Sequence, residues 1–151
     1  MSNRDSRRGS PWHRRAALLA ALTLPLFAGA AAALSADGAA LDEREMSRGR
    51  ILFLQCRACH AVESADSAGK LGPSLHGVFG RAAGTAAGYT GYSEALRGSG
   101  VVWDRQSMDR WLTDPAEFVP GTLMAFPGIA DDANRALLVR YLEQVTAADP
   151  P

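Results

Sequence analysis

Only two cysteines stand in this chain of 151 residues, and they lie three apart in Cys56-Arg57-Ala58-Cys59-His60. A disulfide-dense scaffold is excluded, because two thiols close at most one bridge. On a helical turn, residues three apart share a face, so the pattern presents two sulfurs together with an imidazole directly behind them. C-x-x-C-H is the attachment signal of a c-type haem. The two thiols reach the two vinyl groups of one porphyrin, and His60 offers a ring nitrogen to the iron from one side. Three other chemistries use close cysteines. A zinc half-site needs two more Cys or His ligands, and beyond residue 36 only His76 is left. A thioredoxin-like pair needs a βαβ context that the pattern does not supply. A Cys56–Cys59 bridge would leave the irregular middle of the chain without an organiser.

That middle runs from Gly69 to Gly100 and is rich in Gly, Ala, Ser and Thr, with little periodicity. A structureless stretch this long inside a small domain needs something besides its own backbone to pack on. A covalent haem supplies that surface.

The first 36 residues read differently from the rest. Arg4, Arg7, Arg8, Arg14 and Arg15 precede an apolar run at 16–34, and the small residues Ser35 and Ala36 follow. This is the order of a secretory signal peptide, with cleavage expected between Ala33 and Ala36. Retention as a membrane anchor is the competing outcome, since the run is 19 residues long. Pro25 and the many alanines weigh against it. Covalent haem attachment needs reduced thiols and an unfolded motif. Threading through the membrane unfolded is therefore expected, and the Arg14-Arg15 pair carries little weight as a signal for folded export. The expected division is a leader at 1–36, a flexible arm at 37–44, a domain at 45–146 and a tail at 147–151. The expected location is the periplasm, or the periplasmic face of the inner membrane if the leader stays.

Formal charge balances at 16 basic against 16 acidic side chains, but the balance is composite. The leader carries five arginines and one acid, a net +4. The remainder carries eleven basic groups against fifteen acids, a net −4, and Lys70 is its single lysine. A strongly basic nucleic-acid binder is excluded. With 47% hydrophobic and 21% charged residues, so is a disordered chain.

Three helices are predicted. Met46, Gly49 and Phe53 share a face of a helix at about 43–55, and Gly49 lets another helix approach closely. Asp104 opens a second around Met108, Trp111 and Leu112 that stops before Pro115. Leu138, Tyr141, Leu142 and Val145 form the stripe of the last, capped by Asp131 or Asp132.

If iron sits on His60, its other face needs a ligand. Met46 and Met108 fit helical core stripes, whereas Met124 lies in Pro120-Gly121-Thr122-Leu123-Met124-Ala125-Phe126-Pro127, which cannot form a regular helix. A methionine there is poorly explained as core filler, and 64 residues separate it from His60, enough to reach the opposite face. The rival is His76, whose setting in Gly72-Pro73-Ser74-Leu75-His76-Gly77 suits a hydrogen-bonded turn histidine instead.

Together these segments resemble a class I cytochrome c of the mitochondrial or soluble bacterial type. The resemblance spans about 45–146 and rests on C-x-x-C-H, on the stretch from Gly72 to Val78-Phe79-Gly80-Arg81, on Trp103, on the Met124 segment and on Tyr141-Leu142. It implies an all-α fold, with three principal helices and long irregular loops clasping one haem and the first and last helices packed together. It implies His60 and Met124 as iron ligands, with the second nitrogen of His60 held by the Pro73 carbonyl. It also implies that Arg81, Tyr92 and Trp103 hold a buried propionate, that Thr122 assists, and that Phe126 closes the crevice beside Met124.

The expected function is one-electron transport between respiratory or other redox partners. Both axial positions are taken, and no paired carboxylates, activated nucleophile or phosphate loop competes as an active site. A haem enzyme or gas sensor with peroxidase-like activity is the alternative, arising if Met124 leaves the iron. Partners are expected to be an oxidase, reductase or dehydrogenase, with no nucleic acid, a monomeric carrier and a membrane tether only if the leader is retained. Three departures from the resemblance matter. The usual lysine ring reads Ala116, Glu117, Leu123, Ala130, Asp131 and Asp132, so a partner with an acidic dock is a poor match. Trp111 replaces the usual Tyr near the Met sulfur, and Leu96 a usual Asn; both remove hydrogen-bonding capacity.

Overall fold

A computed structural model describes residues 39–63 and 69–147. The expected leader, residues 64–68 and the tail from 148 lie outside the described residues. Among the described residues five helices follow in order: α1 (Glu43–Phe53), α2 (Glu94–Arg97), α3 (Arg105–Thr113), α4 (Pro115–Phe118) and α5 (Asp132–Val145). Among the described residues the only β feature is an isolated antiparallel bridge, Ala82 to Val102. The described residues are all-α, as the family resemblance implies.

Each long helix starts where a side-chain oxygen satisfies its free N–H groups. Asp42 forms a reciprocal capping box with Glu45, and Asp104 forms one with Ser107. Of the two candidate caps for α5, Asp131 takes the role by accepting from the Asn134 N–H. Asp132 falls inside the first turn and pairs with Arg135 instead. The two short helices were not apparent from periodicity, because four residues are too few to show any. They begin at Ser93 and at Asp114, the latter followed by Pro115 at the first helical position.

The core closes where α1 crosses α5. Gly49 lies against the Tyr141 ring so closely that an added Cβ would sit 2.6 Å from Tyr141 Cβ and Cγ. Phe53 packs on the same ring at a centroid distance of 6.0 Å. Leu138 is fully buried, and Leu142 and Leu112 nearly so. Burying each such side chain stabilises the fold by about 1.5–3 kcal/mol. Arg140 adds an ion pair to Glu45 at 2.9 Å, and Arg105 one to Glu143.

The boundary expected at residue 45 shifts. Leu41 is buried at 8% exposure, its N–H donates to Gln144 Oε1, and the Ala39 carbonyl accepts from Arg140. The stretch 39–44, read as part of a flexible arm, is therefore docked on α5. Sequence suggested an arm because Leu41 is the single large apolar residue in it, and one anchor leaves no periodic signal. The irregular segment is held at 78–103 by paired backbone bonds. Gly80 N–H donates to Trp103 O, Trp103 N–H to Arg81 O and Ala83 N–H to Val101 O, at 2.7–3.0 Å.

Candidate haem site

Past the end of α1 the chain keeps turning. The Cys56 and Arg57 N–H groups donate to Phe53 O, and those of Cys59 and His60 to Cys56 O, at 2.9–3.1 Å. This extra turn points both thiols and the imidazole at one space. The cysteines are free rather than bridged to each other. Burial, helped by neighbouring Cys59, pushes the Cys56 thiol up to about 11.

The loop after residue 69 folds back over the histidine. Gly72 N–H donates to Cys59 O and Leu75 N–H to Ala61 O. Gly72 has no side chain for a spatial reason: a Cβ there would lie 2.5 Å from His60 Cε1. The next residue supplies the contact that orients the ring, with His60 Nδ1 2.7 Å from Pro73 O. A carbonyl only accepts, so Nδ1 carries the proton and Nε2 keeps its lone pair. Burial, opposed by the Pro73 bond and aided by Lys70, lowers the His60 pKa and favours the neutral ring, the form that ligates a metal.

Opposite stands the segment between α4 and α5. Thr122 N–H donates to Val119 O, and Met124 N–H donates to Thr122 Oγ1 at 3.3 Å. Phe126 N–H bonds Met124 O, curling the backbone around the half-buried methionine. Between the two loops lies a cavity of about 300 Å³. Cys56, Cys59, His60 and Pro73 form one side, and Thr122, Met124 and Phe126 another; Arg81, Tyr92 and Trp103 also line it. All ten residues singled out in the sequence thus meet around one space. His76 does not line it; its N–H donates to Ser74 Oγ, as suits a turn histidine.

The wall also holds residues that sequence had placed elsewhere or not at all. Met108, assigned to the core, is buried and reaches the cavity as well. Tyr89 closes the side near Leu71, donating its hydroxyl to Leu71 O at 2.7 Å and packing edge-on against Tyr92. No local pattern marks Tyr89, since its partner is 18 residues away. Trp111 meets Trp103 at a centroid distance of 5.4 Å, and both line the cavity together with Leu96. Trp111 and Leu96 are the positions that departed from the usual polar residues, and here they extend an apolar wall.

The donor set suits a haem. Two thiols, a neutral imidazole and a thioether share an otherwise apolar chamber. Among the described residues lining it, Arg81 is the single formal charge and no carboxylate is present. Arg81 donates to His76 O at 2.8 Å and Ser74 O at 3.1 Å, which stiffens the 74–81 turn. Burial lowers its pKa, opposed by Tyr92. A partly desolvated guanidinium with no acid beside it is a ready partner for an anionic group such as a propionate. Tyr92 accepts the Ala86 N–H at 3.2 Å, which leaves its own proton to donate. A zinc cage has no support: among the described residues no group of three or more His, Cys, Asp or Glu is arranged to hold a metal ion.

Known proteins resemble the chain over most of the described domain. Residues 46–146 match the cytochrome c family model. Cytochrome c2 of Rhodoplanes tepidamans is 41% identical over 101 residues, covering 67% of this chain and 92% of the relative. Cytochrome c of Ginkgo biloba is 39% identical over 100 residues, covering 66% of this chain and 87% of the relative. Among solved structures, cytochrome cH from Methylobacterium extorquens superposes with a TM-score of 0.59 at 41% identity, covering 66% of this chain and 97% of that one.

Proposed function

Because the chain belongs to the cytochrome c family, we propose that it carries single electrons on one haem c bound through Cys56 and Cys59, with the His60 imidazole and the Met124 thioether as axial ligands. The observation that carries this reading is the shared cavity. The Nε2 lone pair of His60, freed by the Nδ1 bond to Pro73, and the loop-borne Met124 line the same chamber as both thiols. When bound, the haem supplies a one-electron iron couple. The protein holds it and tunes it. Pro73 fixes the tautomer of His60, Arg81 would neutralise a propionate to which Tyr92 and Trp103 would donate hydrogen bonds, and Thr122 shapes the turn beneath Met124. A soft thioether and an apolar wall disfavour the more highly charged oxidised iron and raise the potential. With both axial positions filled by side chains, no site is left open for substrate, so the protein is a carrier and not a catalyst.

The oxidised holoprotein should show the weak far-red band of a methionine–iron(III) bond. Met124→Ala should abolish that band, while Met108→Leu should keep it. Survival of the band in Met124→Ala, or its loss in Met108→Leu, would overturn the ligand assignment.

The reading extends to location and partner. The basic, apolar and small-residue order of 1–36 supports export to the periplasm. The residues that both line the cavity and stay exposed are Gln55, Leu71, Ala82, Gly91, Leu123 and Ala125, none of them charged. Leu71 is 81% and Leu123 72% exposed. Docking through this rim fits a redox protein with an uncharged or basic surface around its own centre. With an acidic partner the electron-transfer rate should not fall as salt rises; a steep fall would refute this.

A further inference from the structure

Arg135 is the least solvent-exposed cation among the described residues, and nothing in the site just described uses it. It sits in the second turn position of α5 and is 8% exposed. Its guanidinium makes a three-way clamp. Nε donates to Asp109 Oδ1 of α3 at 2.8 Å, Nη2 to Asp132 Oδ1 at 2.9 Å, and Nη1 to the Ile129 carbonyl at 2.9 Å. Ile129 is held from its other side too, its N–H donating to Leu112 O of α3 at 2.8 Å. Beside it Gly128 adopts φ +89°, and a Cβ there would collide with the Thr113 carbonyl of the same helix. The chain from 128 to 129 is thus riveted between α3 and α5.

Ile129 is also the far end of the loop that carries Met124. At the near end that loop is tied by Thr122 to Val119. Among the described residues, 123–127 make only local hydrogen bonds, Met124 N–H to Thr122 Oγ1 and Phe126 N–H to Met124 O. Met124 therefore has no fastening of its own backbone to either helix. The loop's fixed points are residues 119–122 and 128–129, and at the second Arg135 holds the Ile129 carbonyl while Leu112 O holds its N–H.

We propose that Arg135 is a positioning residue for the distal ligand: by clamping the Ile129 carbonyl to α3 and α5 it sets how firmly Met124 stays on the iron. The proposal rests on Met124 being that ligand. A loosened clamp lets the loop swing and exposes the iron to added ligands. A bidentate, three-partner grip needs the planar fork of arginine, which the single ammonium of lysine does not reproduce.

The test is imidazole titration of the oxidised holoprotein, because imidazole binds only where Met124 has left. Arg135→Gln should tighten imidazole binding about tenfold, the factor carried by one charge-assisted hydrogen bond. Arg135→Lys keeps the charge opposite Asp109 and should give a smaller tightening in a fully folded protein. Gly128→Ala, which disturbs the same rivet without touching Arg135, should act in the same direction. In a Met124→Ala background, imidazole binds to an already vacated position and the Arg135 substitutions should have no effect. If both Arg135 variants leave the affinity within twofold of the parent, or if their effect persists without Met124, the proposal is overturned. A different result, Met124→Ala itself failing to tighten imidazole binding, refutes the ligand assignment rather than the clamp.

Discussion

A single methyl group at Gly49 should loosen the helix pair on which the fold closes. The Cβ of Gly49→Ala would lie 2.6 Å from Tyr141 Cβ and Cγ and 2.7 Å from Cδ2. Carbon atoms rest about 3.5–4.0 Å apart, so α1 and α5 must separate by about 1 Å. Tyr141 cannot swing clear, because two of the three struck atoms are its first two side-chain carbons and its ring is packed against Phe53. Overpacking of this kind costs about 1–3 kcal/mol, and rigid neighbours place it near the upper end. Alanine returns about 1 kcal/mol through its better helix propensity. The net loss is then about 2 kcal/mol, or about 8 °C in Tm at roughly 4 °C per kcal/mol for a domain of this size. Thermal unfolding of the holoprotein followed by far-UV circular dichroism reads this directly. The sharper measurement is a double-mutant cycle. With Tyr141→Ala the clashes with Cγ and Cδ2 are gone and only the one with Cβ remains, so Gly49→Ala should cost clearly less than in the parent. Equal destabilisation in both backgrounds would show that the glycine is not there for the helix crossing.

Other outcomes follow from the same contacts. Asp42→Ala removes one half of the α1 capping box and should cost about 1 kcal/mol, measured by denaturant unfolding. Gly72→Ala pushes a Cβ into the His60 ring and should break its bond to Pro73. That lowers the basicity of the imidazole and raises the reduction potential, a shift that redox titration will detect. Asp104 is held below its ordinary carboxylate value mainly by the Ser107 backbone N–H. A depressed folded pKa means its contribution is present above the unfolded value and is lost as pH falls through the folded one. Asp104→Asn still accepts from Ser107 but carries no charge, so its stability should vary less with pH across that acid range.

Much of the site was readable from local spacing. C-x-x-C-H, the Met124 loop between prolines, the cap at Asp104 and the choice of Asp131 or Asp132 as the last cap all depend on residues a few positions apart, whose geometry a helical turn or a proline dictates. Helix stripes at 3.6-residue period marked α1, α3 and α5 for the same reason. Less visible were contacts between positions far apart in sequence. Gly49 signalled that some helix approaches, but not that Tyr141 fills the gap. Leu41 gave no sign of docking, and Met108, read as core alone, proved to be cavity wall too.

Sequence by itself therefore determined the C-x-x-C-H attachment motif, the three longer helices, the family and the split of charge between residues 1–36 and the rest, because each is carried by covalent order and short-range geometry. Tertiary structure decided what chain closure brings together. It placed His60 Nδ1 on Pro73 and so freed Nε2, set Met124 across the same chamber, left the rim uncharged, and fastened the far end of the Met124 loop through Arg135. Those outcomes depend on where α3 and α5 come to rest against each other and against the loops. That position is fixed by the summed packing of the core, which no single stretch of the chain encodes.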